Sequence, residues 1–207
     1  MRILFQGDSI TDCDRSRTID RNVGTGYALL VKSELDYSSP QSYEFFNRGI
    51  SGNRIVDVYA RIKRDIINLK PDVMSLLIGV NDVWHETDDE CPNGVDAEKF
   101  YKIYSMLISE IKEALPNIKI MILEPFVLKA AATEEKWDVF STEVPLRAKA
   151  AKRIAEEFGL PFIPLQKGFD ELEKKAPASF WLLDGVHPSA AGHQFIKEQW
   201  IKTFNTL

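Results

Sequence analysis

Cysteine is scarce, with only Cys13 and Cys91 in the chain. Two thiols cannot build the disulfide framework of a small secreted domain, and neither lies in a motif with a nearby base. A thiol nucleophile is therefore set aside, and a reducing, cytoplasmic setting is expected. Long apolar runs are missing too. Ile3-Leu4-Phe5 gives way to Gln6-Gly7-Asp8, short of the ~7 apolar residues of a signal-peptide core. Nothing approaches the roughly 18 apolar residues of a membrane span. Positive charge is not in excess: the formal net charge is -5, which argues against a general nucleic-acid binder with its basic stripe. There is no solenoid repeat, low-complexity tract or linker. The 207 residues, 44% of them hydrophobic, are expected to form one domain, 1–207, whose core needs no staples.

What is present is an alternation of short apolar runs with helical patterns. Arg2 to Gln6, Tyr43 to Asn47, Val73 to Ile78, Ile118 to Leu123 and Pro161 to Ile163 read as strands. Apolar residues recur at helical spacing between them. They are Tyr27, Leu30, Val31 and Leu35, then Ile55 through Leu69 up to Pro71, then Phe100 through Ile111. Leu146, Ala150, Ile154 and Phe158 mark another helix, and a last one runs from about Ser189 with Phe195, Ile196, Trp200 and Phe204. Continuous apolar strands separated by amphipathic helices predict a parallel sheet covered on both faces, a three-layer α/β/α sandwich. Two polar segments, Trp84 to Ala97 and Lys129 to Ser141, are expected as long loops bordering the site.

In open parallel sheets the ligand crevice lies at the carboxyl ends of the strands. The segments just after the predicted strands, together with a C-terminal loop, contain the parts of an esterase. Ser9 follows the first strand on a Gly-containing turn. A serine hydroxyl needs a base to become a useful nucleophile. His187, in a loop before the last helix with Asp184 three residues earlier, suits that role: the carboxylate can hold one imidazole nitrogen while the other faces Ser9. The backbone N–H groups of Ser9 and Gly52 and the amide of Asn81 supply three candidate oxyanion donors. Each residue alone has an ordinary structural explanation as a helix cap, a turn glycine or a loop pair. Their occurrence in this order does not.

The blocks Gly7-Asp8-Ser9-Ile10, Gly49-Ile50-Ser51-Gly52-Asn53, Gly79-Val80-Asn81-Asp82 and Asp184-Gly185-Val186-His187-Pro188 resemble the signature blocks of the SGNH (GDSL-like) hydrolase superfamily. The resemblance implies a flavodoxin-like sheet of about five parallel strands. It also implies Ser9, Asp184 and His187 as triad, and Ser9, Gly52 and Asn81 as oxyanion hole. A narrower similarity, through Gly24-Thr25-Gly26-Tyr27, Asn81-Asp82-Val83-Trp84 and Val186 to His193, is to small bacterial intracellular acetylxylan esterases. It implies deacetylation of xylo-oligosaccharides and assembly as a homo-oligomer. Those esterases carry an aromatic residue just before the triad aspartate, where this chain has Leu183, with Trp181 two places earlier.

Tyr27, Trp84 and Trp181 are candidate substrate-binding aromatics, and Arg48 and Arg54 read as surface charges paired with acids. Asp8, Asp12 and Asp14 do not have the spacing of an aspartyl phosphatase. Asp184, His187 and His193 match no common zinc motif, and His193 is expected to face solvent. No metal or cofactor is called for. An acetylesterase acting on small acetylated sugars is favoured over a lysophospholipase or thioesterase with the same triad. A non-catalytic carbohydrate-binding protein comes third, since a binder has no use for the triad.

Overall fold

The computed structural model describes residues 1–207. Five strands form one parallel sheet: β1 (Arg2–Gly7), β2 (Glu44–Asn47), β3 (Val73–Leu77), β4 (Lys119–Leu123) and β5 (Phe162–Ile163), in the order β2-β1-β3-β4-β5. This is the flavodoxin-like order, and the direction of winding reverses between β1 and β3. The expected α/β/α architecture is present.

Strand periodicity divides the core. Ile3, Phe5, Val73, Leu77, Met121 and Leu123 face one side, while Leu4, Met74, Leu76, Ile120 and Ile122 face the other. On the first side lie α2 (Tyr27–Ser38) and α11 (Ala190–Phe204), with Trp200 fully buried against Phe5 at 5.6 Å between ring centroids. On the second lie α3 (Ile55–Ala60), α4 (Ile62–Asp65) and α6 (Ala97–Ala114), whose apolar residues complete that core. The long helix α8 (Trp137–Phe158) serves both: Phe140 and Val144 join the first core, and Ala151 and Ile154 the second.

Three expectations about elements need correction. The helix expected from Ile55 to Leu69 is broken at Arg61 and Ile66 into α3, α4 and a 3-10 turn, Ile67–Leu69. The Lys129–Ser141 segment is not a loop: it contains α7 (Ala131–Glu134) and the first turn of α8. Pro145 lies inside α8, which hid the helix's first two turns from a periodicity reading because proline normally breaks a helix interior. Four other short helices, α1 (Ser9–Asp12), α5 (Val80–Trp84), α9 (Gln166–Glu173) and α10 (Ala178–Trp181), were not expected. No helix is long and apolar enough to cross a membrane.

Candidate active site

The site forms where β1, β2 and β3 end. Ser9 is the first residue of α1, directly after β1. Asp8 caps this one-turn helix, its Oδ1 accepting from Ile10 N at 3.0 Å, which satisfies one of the orphan donors of a helix start. From the opposite end of the chain, His187 reaches Ser9: Nε2 lies 2.8 Å from Ser9 Oγ, and Nδ1 lies 2.7 Å from Asp184 Oδ2.

The Asp184–His187 turn is built for this arrangement. Asp184 Oδ1 accepts from the backbone N–H groups of Val186 (2.9 Å) and His187 (2.8 Å), leaving Oδ2 for the imidazole. Gly185 between them has φ +100°, and a Cβ there would collide with Thr133 Oγ1 and Leu128 O. A side chain is therefore excluded by conformation and by space. The turn hangs on the segment before it, with Leu128 N donating to Gly185 O at 2.9 Å and Ala132 N to Asp184 O at 3.0 Å.

Electrostatics agree with the geometry. Burial pushes the Asp184 carboxyl up, but hydrogen bonds from His187 and Val186 overcome it and bring its pKa down to about 2. The bond to Asp184 raises the His187 pKa above its ordinary value, against the opposing effect of burial. An ionised aspartate on Nδ1 fixes the tautomer that leaves Nε2 free to accept the Ser9 proton.

The Gly52 loop and Asn81 complete the ring. Gly52 has φ +79° and only His85 Nε2, at 3.9 Å, near the position of a Cβ. The loop is pinned from below. Asn47 Oδ1 accepts from Gly49 N at 2.9 Å, and Asp12 Oδ2 accepts from Ser51 N at 3.0 Å and Ser51 Oγ at 3.1 Å. The backbone N–H groups of Ser9 and Gly52 donate to no protein acceptor. Asn81 is buried, with 6% of its surface exposed, and Nδ2 donates to Asn53 O at 3.1 Å. That bond uses one of the two amide hydrogens.

Two carboxyls lie under this floor. Asp8 and Asp82 are buried, and burial raises both to a pKa of about 7. It is partly offset by the Ile10 N–H and His187 at Asp8, and by the Ile55 N–H and Arg147 at Asp82. Nothing in the sequence singles them out except their positions beside Ser9 and Asn81.

The candidate aromatics separate. Trp84 stands at the site: its ring is 6.0 Å from His187 and edge-on to Phe140 at 5.7 Å. Tyr27 does not. It is fully buried, packs edge-on against Phe5, and shares a 3.0 Å hydrogen bond with Thr11. The expected substrate contact is replaced by a core role, because Gly26 caps α2 and turns its first residue inward. Trp181 is half-buried, stacks edge-on with Phe180 and donates to Ala176 O at 3.3 Å. These contacts place it as a prop beside the histidine turn, where its carbonyl also accepts from Ser189 N. His193 is not on the surface: it is 5% exposed, its Nδ1 accepts from Tyr27 N at 3.1 Å, and burial lowers its pKa to about 4. Arg48 and Arg54 pair with acids as expected, Asp20 and Asp57, but their side chains are only 16% and 14% exposed rather than on the open surface. His85, which no motif in the sequence contains, faces Gly52. Its only signal was its position after Trp84.

Residues 5–195 match the model of the GDSL-like Lipase/Acylhydrolase family. An acetylxylan esterase from Geobacillus stearothermophilus is 33% identical over 97% of this chain and 92% of its own. Among solved structures, a putative GDSL-like lipase from Parabacteroides merdae superposes with a TM-score of 0.92 at 37% identity, covering 99% of this chain and 95% of that one. Axe2, an acetylxylan esterase from Geobacillus stearothermophilus, gives a TM-score of 0.87 at 32% identity, covering 98% and 93%. Similar structures include catalytic mutants of Axe2 in which a serine, an aspartate or a histidine is replaced by alanine. The chain belongs to the GDSL-like lipase/acylhydrolase family and is a carboxylic ester hydrolase.

Proposed function

We propose that the protein is an acetylesterase that removes O-acetyl groups from xylo-oligosaccharides or similar acetylated sugars. The observation that carries the mechanism is the unbroken path from Ser9 Oγ through the His187 ring to Asp184 Oδ2, with links of 2.8 and 2.7 Å. Ser9 Oγ attacks the acetyl carbonyl carbon as His187 Nε2 takes the hydroxyl proton. The negative charge developing on the carbonyl oxygen is met by the N–H groups of Ser9 and Gly52 and the free amide hydrogen of Asn81. Collapse breaks the ester bond, and His187 returns the proton to the departing sugar oxygen. Water then attacks the acetyl-serine with His187 again as base, releasing acetate.

The sugar assignment rests on the acetylxylan esterase relatives and on Trp84, whose half-buried ring beside His187 offers a face for a pyranose. Leu183, 60% exposed and next to Asp184, gives this rim an aliphatic side chain. The scarcity of cysteine supports a cytoplasmic location. Homo-oligomeric assembly belongs to the same proposal and is checked by light scattering on the purified chain.

The test is acetate release from acetylated xylo-oligosaccharides, run beside p-nitrophenyl acetate and p-nitrophenyl octanoate, with Ser9→Ala and His187→Ala as controls. Sugar deacetylation with little octanoate hydrolysis is expected, and both variants should be folded and inactive. Preference for octanoate with no sugar deacetylation would move the protein to the lysophospholipase and thioesterase side. Near-normal turnover by folded Ser9→Ala overturns the nucleophile itself.

A further inference from the structure

Beside the loop that carries Gly52 lies a cavity of about 420 Å³ lined by Arg15, Arg17, Arg48, Arg64, Ile50 and Asp65. Four guanidinium groups meet a single carboxylate in its walls, in a chain whose formal charge is -5. Acids in and behind the walls only partly redress this. Asp12 takes Arg17, Asp20 takes Arg48, and Asp65 is shared between Arg64 and Arg61.

Arg15 has no carboxylate partner. Its Nε donates to Gly49 O at 2.7 Å and its Nη1 to Ser16 O at 3.3 Å, while the residue is only 9% exposed. Burial and the neighbouring charges of Arg17, Arg48 and Arg61 lower its pKa to about 10, with only Asp12 opposing them. A cation held among cations is costly unless an anion completes the group. The forks also have donors to spare. Nη2 of Arg15, and Nε and Nη2 of Arg48, have no protein acceptor.

We propose that this cavity binds a small oxyanion, a carboxylate or phosphate carried on a molecule of monosaccharide size. Guanidinium forks match the paired oxygens of both groups. The volume falls within the roughly 300–1,000 Å³ typical of small-molecule sites. That is more room than a bare ion needs and leaves space for a polar body beside the charge. Buried Arg15 supplies a fixed donor at the base. Arg17 and Arg64 have half or more of their side-chain surface exposed, and each would be shared between its acid partner and the ligand. The cavity does not include Ser9, His187, Gly52 or Asn81. Arg15 and Arg17 hold Gly49 O, however, and Arg17 holds Asp12, which pins the Gly52 loop, so the substitutions are made at Arg48 and Arg64.

The experiment is isothermal titration calorimetry at low salt with glucuronate, glucose 6-phosphate, inorganic phosphate and, as the neutral control, glucose. Both sugar acids should bind and glucose should not, and the tighter of the two identifies the preferred oxyanion. The Arg48→Gln, Arg64→Gln double variant should lose at least tenfold in affinity while hydrolysing p-nitrophenyl acetate normally. Ser9→Ala should bind as the wild type does. Perturbation of the Arg15 Nε–H resonance on titration locates the ligand without any substitution. Failure of both sugar acids to bind at millimolar concentration overturns the proposal, even if bare phosphate binds. So does binding that the double variant leaves unchanged, or that never touches the Arg15 signal.

Discussion

Replacement of Asn81 by alanine is the sharpest probe of the proposed oxyanion site. One amide hydrogen of Asn81 is engaged by Asn53 O at 3.1 Å, so the other is the only one available to the reacting oxygen. A neutral ester carbonyl gains little from it, whereas the tetrahedral oxyanion gains a full hydrogen bond in a buried setting. Loss of one such donor costs about 2.7–4 kcal/mol at the transition state, or roughly 100- to 1,000-fold in kcat, with KM nearly unchanged. The folded state loses only the bond to Asn53 O, worth about 1 kcal/mol, which lowers Tm by about 2–4 °C. Steady-state hydrolysis of p-nitrophenyl acetate, with thermal melts of the same preparations, separates the two effects. Asn81→Asp keeps the side-chain volume but presents an acceptor, so it should fall at least as far in kcat. A kcat within about threefold of wild type in the alanine variant, or a loss confined to KM, would refute the role given to Asn81.

Other expectations follow from the same geometry. Because Asp184 raises the His187 pKa, the acid limb of kcat/KM should lie above the ordinary histidine value of about 6.5. Activity falls as pH drops through it, because imidazolium cannot accept the Ser9 proton. A limb well below that value in a pH–rate profile would contradict the Asp184 bond. Gly185→Ala forces a Cβ against Thr133 and Leu128 at φ +100°; strain of about 1–3 kcal/mol should appear as a lower Tm together with reduced kcat. A variant with wild-type melting and turnover would show that the turn is not constrained as described. Asp82, raised to about 7 by burial, binds a proton more readily folded than unfolded, so its contribution to stability declines as pH rises from about 4 to about 7. Asp82→Asn removes that decline. The Tm difference between variant and wild type should therefore move in the variant's favour from about pH 5 to about pH 8, and a constant difference would argue against a titrating Asp82.

The sheet and the site were legible in the sequence for one reason: both are written in strand ends. Val73 to Ile78 is a nearly continuous apolar run because both its faces are covered, and the polar pair Asn81-Asp82 soon after it breaks that pattern. Ser9, Gly52 and Asn81 stand out at such places. The Asp184–His187 pair was legible from spacing alone, since one turn of chain suffices to join a carboxylate to an imidazole. What stayed hidden depends on direction rather than on pattern. α1 and α5 are one turn or little more, too short to show a period, yet they carry Ser9 and Asn81. Tyr27 and His193 are polar-tipped residues near catalytic blocks, and only the packing of α2 against α11 reveals that they face each other inside. Asp8 and Asp82 read as ordinary acids until burial is known.

The bracket between residues 128–133 and the Asp184–His187 turn has an evolutionary consequence. The proposed nucleophile and oxyanion donors sit at the strand ends, but His187, the proposed base, hangs on a strap outside the sheet. Leu128 and Thr133 in that strap are buried, but Lys129, Ala131 and Ala132 are exposed. Substitutions at these three should shift the imidazole without disturbing strands or core. The chain thus has, at the exposed positions of the strap, a tuning screw for the position of the proposed general base. Libraries aimed at new acyl or leaving groups would find tolerant, rate-altering positions there rather than among the strand-end blocks.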